Sequence, residues 1–279
     1  MVKSVIAKTR QQALQALHDR PHAIVAGGTD MLIQNRSHTG MAIGYKKSVL
    51  YINLIESLNY IRDDENHIYI GANTRLETIL RSNKTPAILK KIIYEMASPA
   101  IRYTATLAGN IANASPAGDS LLALYAMDAL VEIQSVKQTR KLLVSDFIQG
   151  VRKIDLSSDE MITEIIIPKE QFTCVSFKKV APRQSDAISK LSFAGLARVK
   201  NGIIEDIRIA LGAVFITVVR HREIEEKYLG STIDAIKDQA DNILKDFDPY
   251  IKPIDDQRSN RHYRKQVALN LIKDFIIQL

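Results

Sequence analysis

The 279-residue chain holds one cysteine, Cys174. A single thiol excludes an internal disulfide, a CxxC pair and a cysteine framework for an iron–sulfur cluster carried by this chain. It fits a reducing, cytoplasmic setting. The six histidines are scattered without an HExxH, so no structural metal is expected. Long apolar runs are missing too. The longest, "IALGAVFITVV" at 209–219, falls short of the roughly 18 residues of a membrane span. It reads as a buried strand and its exit. The basic N-terminus lacks a continuous apolar core and is not expected to act as a secretory signal. There is no GxxxxGK followed by Ser or Thr, and no GxGxxG. That excludes a Walker loop and the usual dinucleotide fingerprint.

Hydrophobic residues make up 46% of the chain and charged residues 25%, values ordinary for a soluble globular protein. The length allows two or three compact units. The formal net charge is +7, from 38 basic and 31 acidic residues. The densest basic run, "RSNRHYRK" at 258–265, sits at a helix start and reads as a solvated face. No helix-turn-helix, zinc-finger or aromatic RNA-reading motif accompanies it, so nucleic acid is not the expected partner.

Hydrophobic periodicity predicts a helix over 9–18, closed by Pro21, then a short strand running into Gly27 and Gly28. Strands are expected at 49–53 and 67–71, with a short helix, a strand and a turn between them. Thr85 and Pro86 read as the N-cap and first residue of a helix whose apolar face is Ile88, Leu89, Ile92, Ile93 and Met96. A buried helix starts near Asp119. Strand pairs follow at 131–136 and 140–144, then single strands ending at Pro168 and spanning 173–180. Asn201 and Gly202 mark a tight hairpin turn. From about 219 the pattern is helical: one segment closed by Gly230, one over 232–247, and one from Ser259 to the end. Strands and helices mix without regular βαβ alternation, which predicts α+β rather than a doubly wound sheet.

Two stretches of small residues stand out. "AGGTD" at 26–30 directly follows a strand, and adjacent glycines let a backbone turn sharply with its amides outward. Successive amides aimed one way form a concave anion site. The second, "TATLAGN" at 104–110, reads as a loop with two threonine hydroxyls, an Ala-Gly pair and an asparagine. Nine residues after Asn110 comes Asp119, read as the N-cap of the next helix and able to hold a sugar hydroxyl as well. Two such loops about eighty residues apart suggest one shared ligand. A diphosphate between two organic groups needs many donors and little bulk, as in a dinucleotide lying extended between subdomains.

At this point "AGGTD", "TATLAGNIANASPAGDSLLAL" and "KKVAPRQSDAISKLSFA" resemble the FAD-binding (medium) subunit of the molybdenum hydroxylase family. That family includes the flavin domain of xanthine dehydrogenase and the medium subunit of aerobic carbon monoxide dehydrogenase. The likeness runs nearly end to end. It implies an α+β chain with the two-subdomain FAD-binding fold of vanillyl-alcohol oxidase, followed by a smaller α+β C-terminal domain. The FAD-binding domain would cover 1–168, with subdomains of about 1–55 and 56–168, and the C-terminal domain 169–279. Ile24, Val25, Ala26, Gly27, Gly28, Thr29, Asp30 and Met31 would wrap the FAD diphosphate. Thr106, Ala108, Gly109 and Asn110 would close over the same phosphates and the ribityl chain. Asp119 would bind a cofactor hydroxyl, Ile162 would line the site, and Lys179 would sit near the flavin edge. The "APRQSDAIS" loop would pass the ring face. The flavin would be non-covalent, since neither small-residue loop holds a histidine or cysteine. Three positions depart from the family pattern: Ala108 where Gly is usual, Tyr103 for an asparagine, and Gln184 for the second of two arginines. A methyl at residue 108 fits if φ there is negative.

The resemblance also implies that the chain works in a heteromeric complex. Molybdopterin and [2Fe-2S] clusters would lie only on partners, a large subunit and a small one. Electrons would pass through FAD to an acceptor: NAD, oxygen or a quinone. Two alternatives stay open. One is a stand-alone flavoprotein oxidase or reductase, for which His38 and His67 are the weak candidates for a base. The other is a non-catalytic basic binding protein.

Overall fold

The computed structural model describes residues 4–36, 44–184 and 186–279. His38 lies outside them. The chain opens with β1 (Ser4–Ile6), α1 (Arg10–Asp19), β2 (Ala23–Val25), α2 (Thr29–Gln34) and β3 (Val49–Tyr51). Thr9 caps α1 by accepting from the Gln12 amide. The three strands form a parallel sheet in the order β1-β3-β2. This βαβαβ run is local: the other sheets are antiparallel, so the chain as a whole lacks regular alternation, as expected of α+β. Strands of three residues are too short to show a period, so the pattern stays hidden in sequence. Leu14, Leu17, Leu50 and Ile52 pack its small core together with Met161 from a later strand.

The second unit carries β4 (Ile61–Asp63), β5 (His67–Gly71), α3 (Leu76–Arg81), α4 (Ala87–Glu95), α5 (Pro99–Arg102), α6 (Leu107–Asn113) and α7 (Asp119–Ala126). It continues through β6 (Leu130–Gln134), β7 (Thr139–Leu143), α8 (Val144–Phe147), β8 (Ile148–Gly150), β9 (Lys153–Ile154) and β10 (Met161–Pro168). Its five-stranded sheet has the order β4-β5-β10-β6-β7. Central β10 is buried from Met161 to Ile167, as a strand covered on both faces must be. The expected apolar face of α4 is buried, but Thr85 does not cap it. Pro86 takes the cap position, and the Thr85 hydroxyl donates to the Ile79 carbonyl at 2.7 Å.

The third unit is a meander of β11 (Cys174–Val180), β12 (Leu191–Lys200) and β13 (Ile203–Gly212). Asn201 and Gly202 turn the hairpin at φ 51° and 75°. It is covered by α9 (Arg222–Glu226), α10 (Ile233–Asp238), α11 (Ala240–Phe247) and α12 (Arg261–Ile277). The single helix expected over 232–247 is thus two, broken at Gln239. The last helix starts later than Ser259, where Asn260 accepts from the Tyr263 amide. The stretch after β13 is not buried throughout: Phe215 and Ile216 are exposed.

Helix α7 lies between α4 and the β12–β13 hairpin, and all eight of its residues are buried. A charged seam finishes the join. Arg208 of β13 donates to the Ala126 carbonyl at 3.0 Å and pairs with Asp128 at 3.3 Å. Arg220 pairs with the same Asp128 and with Glu225. Burial pushes the Glu225 carboxyl up, against the pull of Arg220. The basic run at 258–265 is matched by acids: Arg258 and Arg264 with Asp256, Arg261 with Asp255, Lys265 with Asp248. That pairing leaves little unbalanced charge for a polyanion.

Candidate functional site

A cavity of about 640 Å³ opens where the parallel unit meets α6 and β10. That is within the roughly 300–1,000 Å³ range of small-molecule sites. Every residue from Ile24 to Met31 lines it, as do Thr106, Ala108, Gly109, Asn110 and Ile162. The two small-residue stretches therefore meet.

The first is a bend. Gly28 sits at φ 72°, in the left-handed region, which an L side chain enters only with strain. Gly27 is needed for a different reason. A Cβ there would lie 2.2 Å from the Thr104 carbonyl oxygen, so backbone touches backbone where the stretches cross.

The second stretch is not the loop that composition suggests. Residues 107–113 form α6, and the Thr106 hydroxyl caps it by accepting from the Gly109 amide at 3.0 Å. Ala108 is helical and 6% exposed, so its methyl fits. The two stretches are also tied by side chains: Gln34 Nε2 of α2 donates to Asn113 Oδ1 of α6 at 3.0 Å.

Asp119 and Lys179 lie apart from this cavity, on an adjoining one of about 170 Å³. Asp30, Asn110 and Asn113 line both. Lys179 Nζ sits 2.9 Å from Asp119 Oδ2, with the two side chains 4% and 6% exposed. Lys179 also donates to the Glu95 carbonyl at 2.8 Å, and Ser189 donates to Asp119 Oδ1 at 2.6 Å. Asp119 is therefore not an N-cap. Gly118 holds that position, and Asp119 is the first residue of α7 with its carboxylate turned to Lys179. Asn110 Oδ1 accepts from Ser120 at 2.6 Å, which fixes the wall between the cavities.

Sequence reasoning missed His22, Lys47 and Arg152, which also line the larger cavity. His22 Nδ1 is 2.8 Å from the Arg20 carbonyl, and among the described residues its buried Nε2 has no partner. His22 could have been suspected from its place just ahead of the first bend. Nothing in the sequence marks Lys47 or Arg152. His67 is elsewhere, on β5, 3.9 Å from Asp64. Of the departures from the family pattern, Tyr103 and Gln184 are exposed, and Arg183 beside Gln184 donates to the Asp186 carbonyl.

These residues fit FAD. Its diphosphate is dianionic and would meet backbone amides, Gly27 without bulk, and the cations Lys47 and Arg152. Among the described residues neither cation has an acidic partner. No group of metal-ligating side chains occurs among the described residues. No helix there is long and apolar enough to cross a membrane.

Known proteins bear on the same residues. Positions 1–170 match the family described as FAD binding domain in molybdopterin dehydrogenase, and 176–279 match the CO dehydrogenase flavoprotein C-terminal domain. The nicotinate dehydrogenase FAD-subunit of Eubacterium barkeri is 32% identical over 81% of this chain and 79% of its own. The glyceraldehyde dehydrogenase medium chain of Sulfolobus acidocaldarius is 29% identical over 95% and 93%. In structure, a chain of a copper- and molybdenum-containing carbon monoxide dehydrogenase superposes with a TM-score of 0.88 at 21% identity, over 99% of this chain and 96% of that one. That superposition gives the α+β flavoprotein fold, and the family matches give the rest: this chain belongs to the FAD-binding subunits of the molybdopterin dehydrogenases, the molybdenum hydroxylase oxidoreductases.

Proposed function

We propose that this chain carries FAD non-covalently as the electron-transfer subunit of a cytoplasmic complex. It would receive electrons from iron–sulfur clusters of a small partner and release them to an acceptor such as NAD. A molybdopterin-binding large subunit would oxidise the substrate. The observation that carries this reading is the meeting of both small-residue stretches on one cavity. Residues 1–168 would form the cofactor domain and 169–279 the C-terminal domain. The break after Pro168 between two separate sheets supports that division.

Bound FAD supplies the exchange between one-electron and two-electron transfer. The chain's own residues bind and orient it. Amides of residues 26–31 would face the diphosphate, with Gly27 and Gly28 leaving room for it. The capped stretch Thr106, Ala108, Gly109 and Asn110 would close over the same group. Ile162, 6% exposed, would pack against an apolar part of the cofactor. Asp119 would hold a hydroxyl, and Lys179 would stand at the flavin edge with its charge already balanced by Asp119.

Purified protein titrated with FAD is expected to bind one equivalent, released intact on acid denaturation. Affinity isolation from the native cell should recover a molybdopterin-binding chain and a cysteine-rich chain. Recovery of the chain alone, without flavin, overturns the reading. Flavin bleaching by NADH under anaerobic conditions would identify NAD as the acceptor. A flavin that NADH leaves oxidised rejects it.

A further inference from the structure

Arg75 lies in the link between β5 and α3, outside every motif considered above. Its Nη1 donates to the Thr104 carbonyl at 2.6 Å. Its backbone bridges Thr106, and the next amide, Leu76, donates to the Ala105 carbonyl at 2.9 Å. The Thr104 carbonyl is also the group that Gly27 abuts. Arg75 does not itself line the cavity: its guanidinium stands behind the Thr104 carbonyl, against which the first bend packs, while the neighbouring Ala105 and Thr106 line the wall.

Arg75, like Arg152, differs from most of the buried or paired arginines of this protein. Arg62, Arg81, Arg102, Arg140, Arg208 and Arg220 each hold a carboxylate. Among the described residues Arg75 has none, and its one side-chain hydrogen bond goes to a carbonyl. It is partly buried, and burial pulls its pKa down with no anion to offset the loss. A guanidinium so placed gives up hydration without gaining a counter-ion.

We infer that Arg75 supplies a positive charge that the cofactor's diphosphate neutralises, held beside both small-residue stretches by the Thr104 carbonyl. The inference rests on the FAD reading and assigns to that site a residue that no motif marks. Its particular consequence is selectivity. FAD carries the diphosphate and riboflavin does not, so only FAD should feel Arg75.

The test titrates FAD and riboflavin into the full chain, wild type, Arg75→Gln and Arg75→Lys, at low and high KCl, following flavin fluorescence. Gln removes the charge and retains an uncharged amide donor, and Lys keeps the charge. Arg75→Gln is expected to weaken FAD about tenfold at low salt, flatten its salt dependence and leave riboflavin unchanged. Arg75→Lys should stay within about threefold of wild type and keep the salt dependence. Equal loss of FAD and riboflavin affinity in Arg75→Gln makes the role merely structural and overturns the inference, as does unchanged FAD binding. If Arg75→Gln fails to fold, wild-type FAD binding that ignores salt overturns it instead. Tight wild-type FAD binding combined with any of these results leaves the FAD reading standing. A wild type that binds no FAD removes both.

Discussion

Residues 26–31 and 104–110 reach the same cavity by different routes. The first is held by backbone conformation: Gly28 at φ 72° and Gly27 pressed against the Thr104 carbonyl. The second is held by side chains. Thr106 caps α6, Arg75 grips the Thr104 carbonyl, and Arg102, just before it, lies 3.0 Å from Glu77 Oε2 while binding the Met96 and Ala97 carbonyls. Similar compositions thus yield a bend in one place and a capped helix in the other. A bend with no side chains to anchor it tolerates no added bulk. A stretch anchored by side chains fails when an anchor is removed, and its failures are graded.

The largest effect should come where the second stretch runs on into α7. Lys179→Met leaves Asp119 buried without its cation, which costs about 3–5 kcal/mol. Chemical denaturation should show that loss, and adding Asp119→Asn should recover most of it. If the double variant is no better than the single, the buried pair is not what matters there. Next comes Gly27→Ala. Its Cβ meets backbone rather than a flexible side chain, and such overpacking costs about 1–3 kcal/mol. FAD affinity should fall with it. Gly109→Ala, whose Cβ meets only the Thr106 hydroxyl at 3.0 Å, should be milder. Equal penalties for the two glycines would erase the contrast between the stretches.

Thr106→Ala removes the cap of α6 and should cost about 1 kcal/mol, read as a lower thermal midpoint, with Thr106→Ser restoring it. The smallest effect is pH-dependent. Arg102, and then Arg81, hold the Glu77 carboxyl below its usual value. A depressed carboxylate stabilises the fold above its unfolded pKa, and that stability is lost as pH falls through the folded one. Wild-type stability should therefore decline below about pH 4, with a shallower acid limb in Glu77→Gln. An unchanged acid limb in that variant would show that Arg102 holds the second stretch without Glu77.

Much of the frame was legible because its signals are local. The 201–202 turn, the apolar face of α4, the isoleucine-rich β10 and the two glycines of the first bend all depend on neighbours in sequence. The reading failed where a distant partner outbids a local preference. Thr85 has the chemistry of a cap, yet its hydroxyl is taken by Ile79. Asp119 precedes an apolar run as a cap would, yet a buried lysine sixty residues away claims its carboxylate. The 104–110 stretch looks like a loop because Gly, Thr and Asn disfavour a helix interior and its two alanines, though good helix formers, do not outweigh them locally. One hydroxyl-to-amide bond tips it into a helix.

By itself the sequence determined most elements of the fold, the absence of cysteine ligands for a cluster, and two glycine-dependent or small-residue stretches able to approach an anion. These follow from covalent geometry and composition, which do not depend on what lies across the fold. Only the tertiary structure decided that the stretches meet, that Asp119 and Lys179 neutralise each other beside them, and that Arg75 is left without an acid. Burial and pairing are properties of neighbours in space, and charges take their energies from those neighbours rather than from their place in the chain.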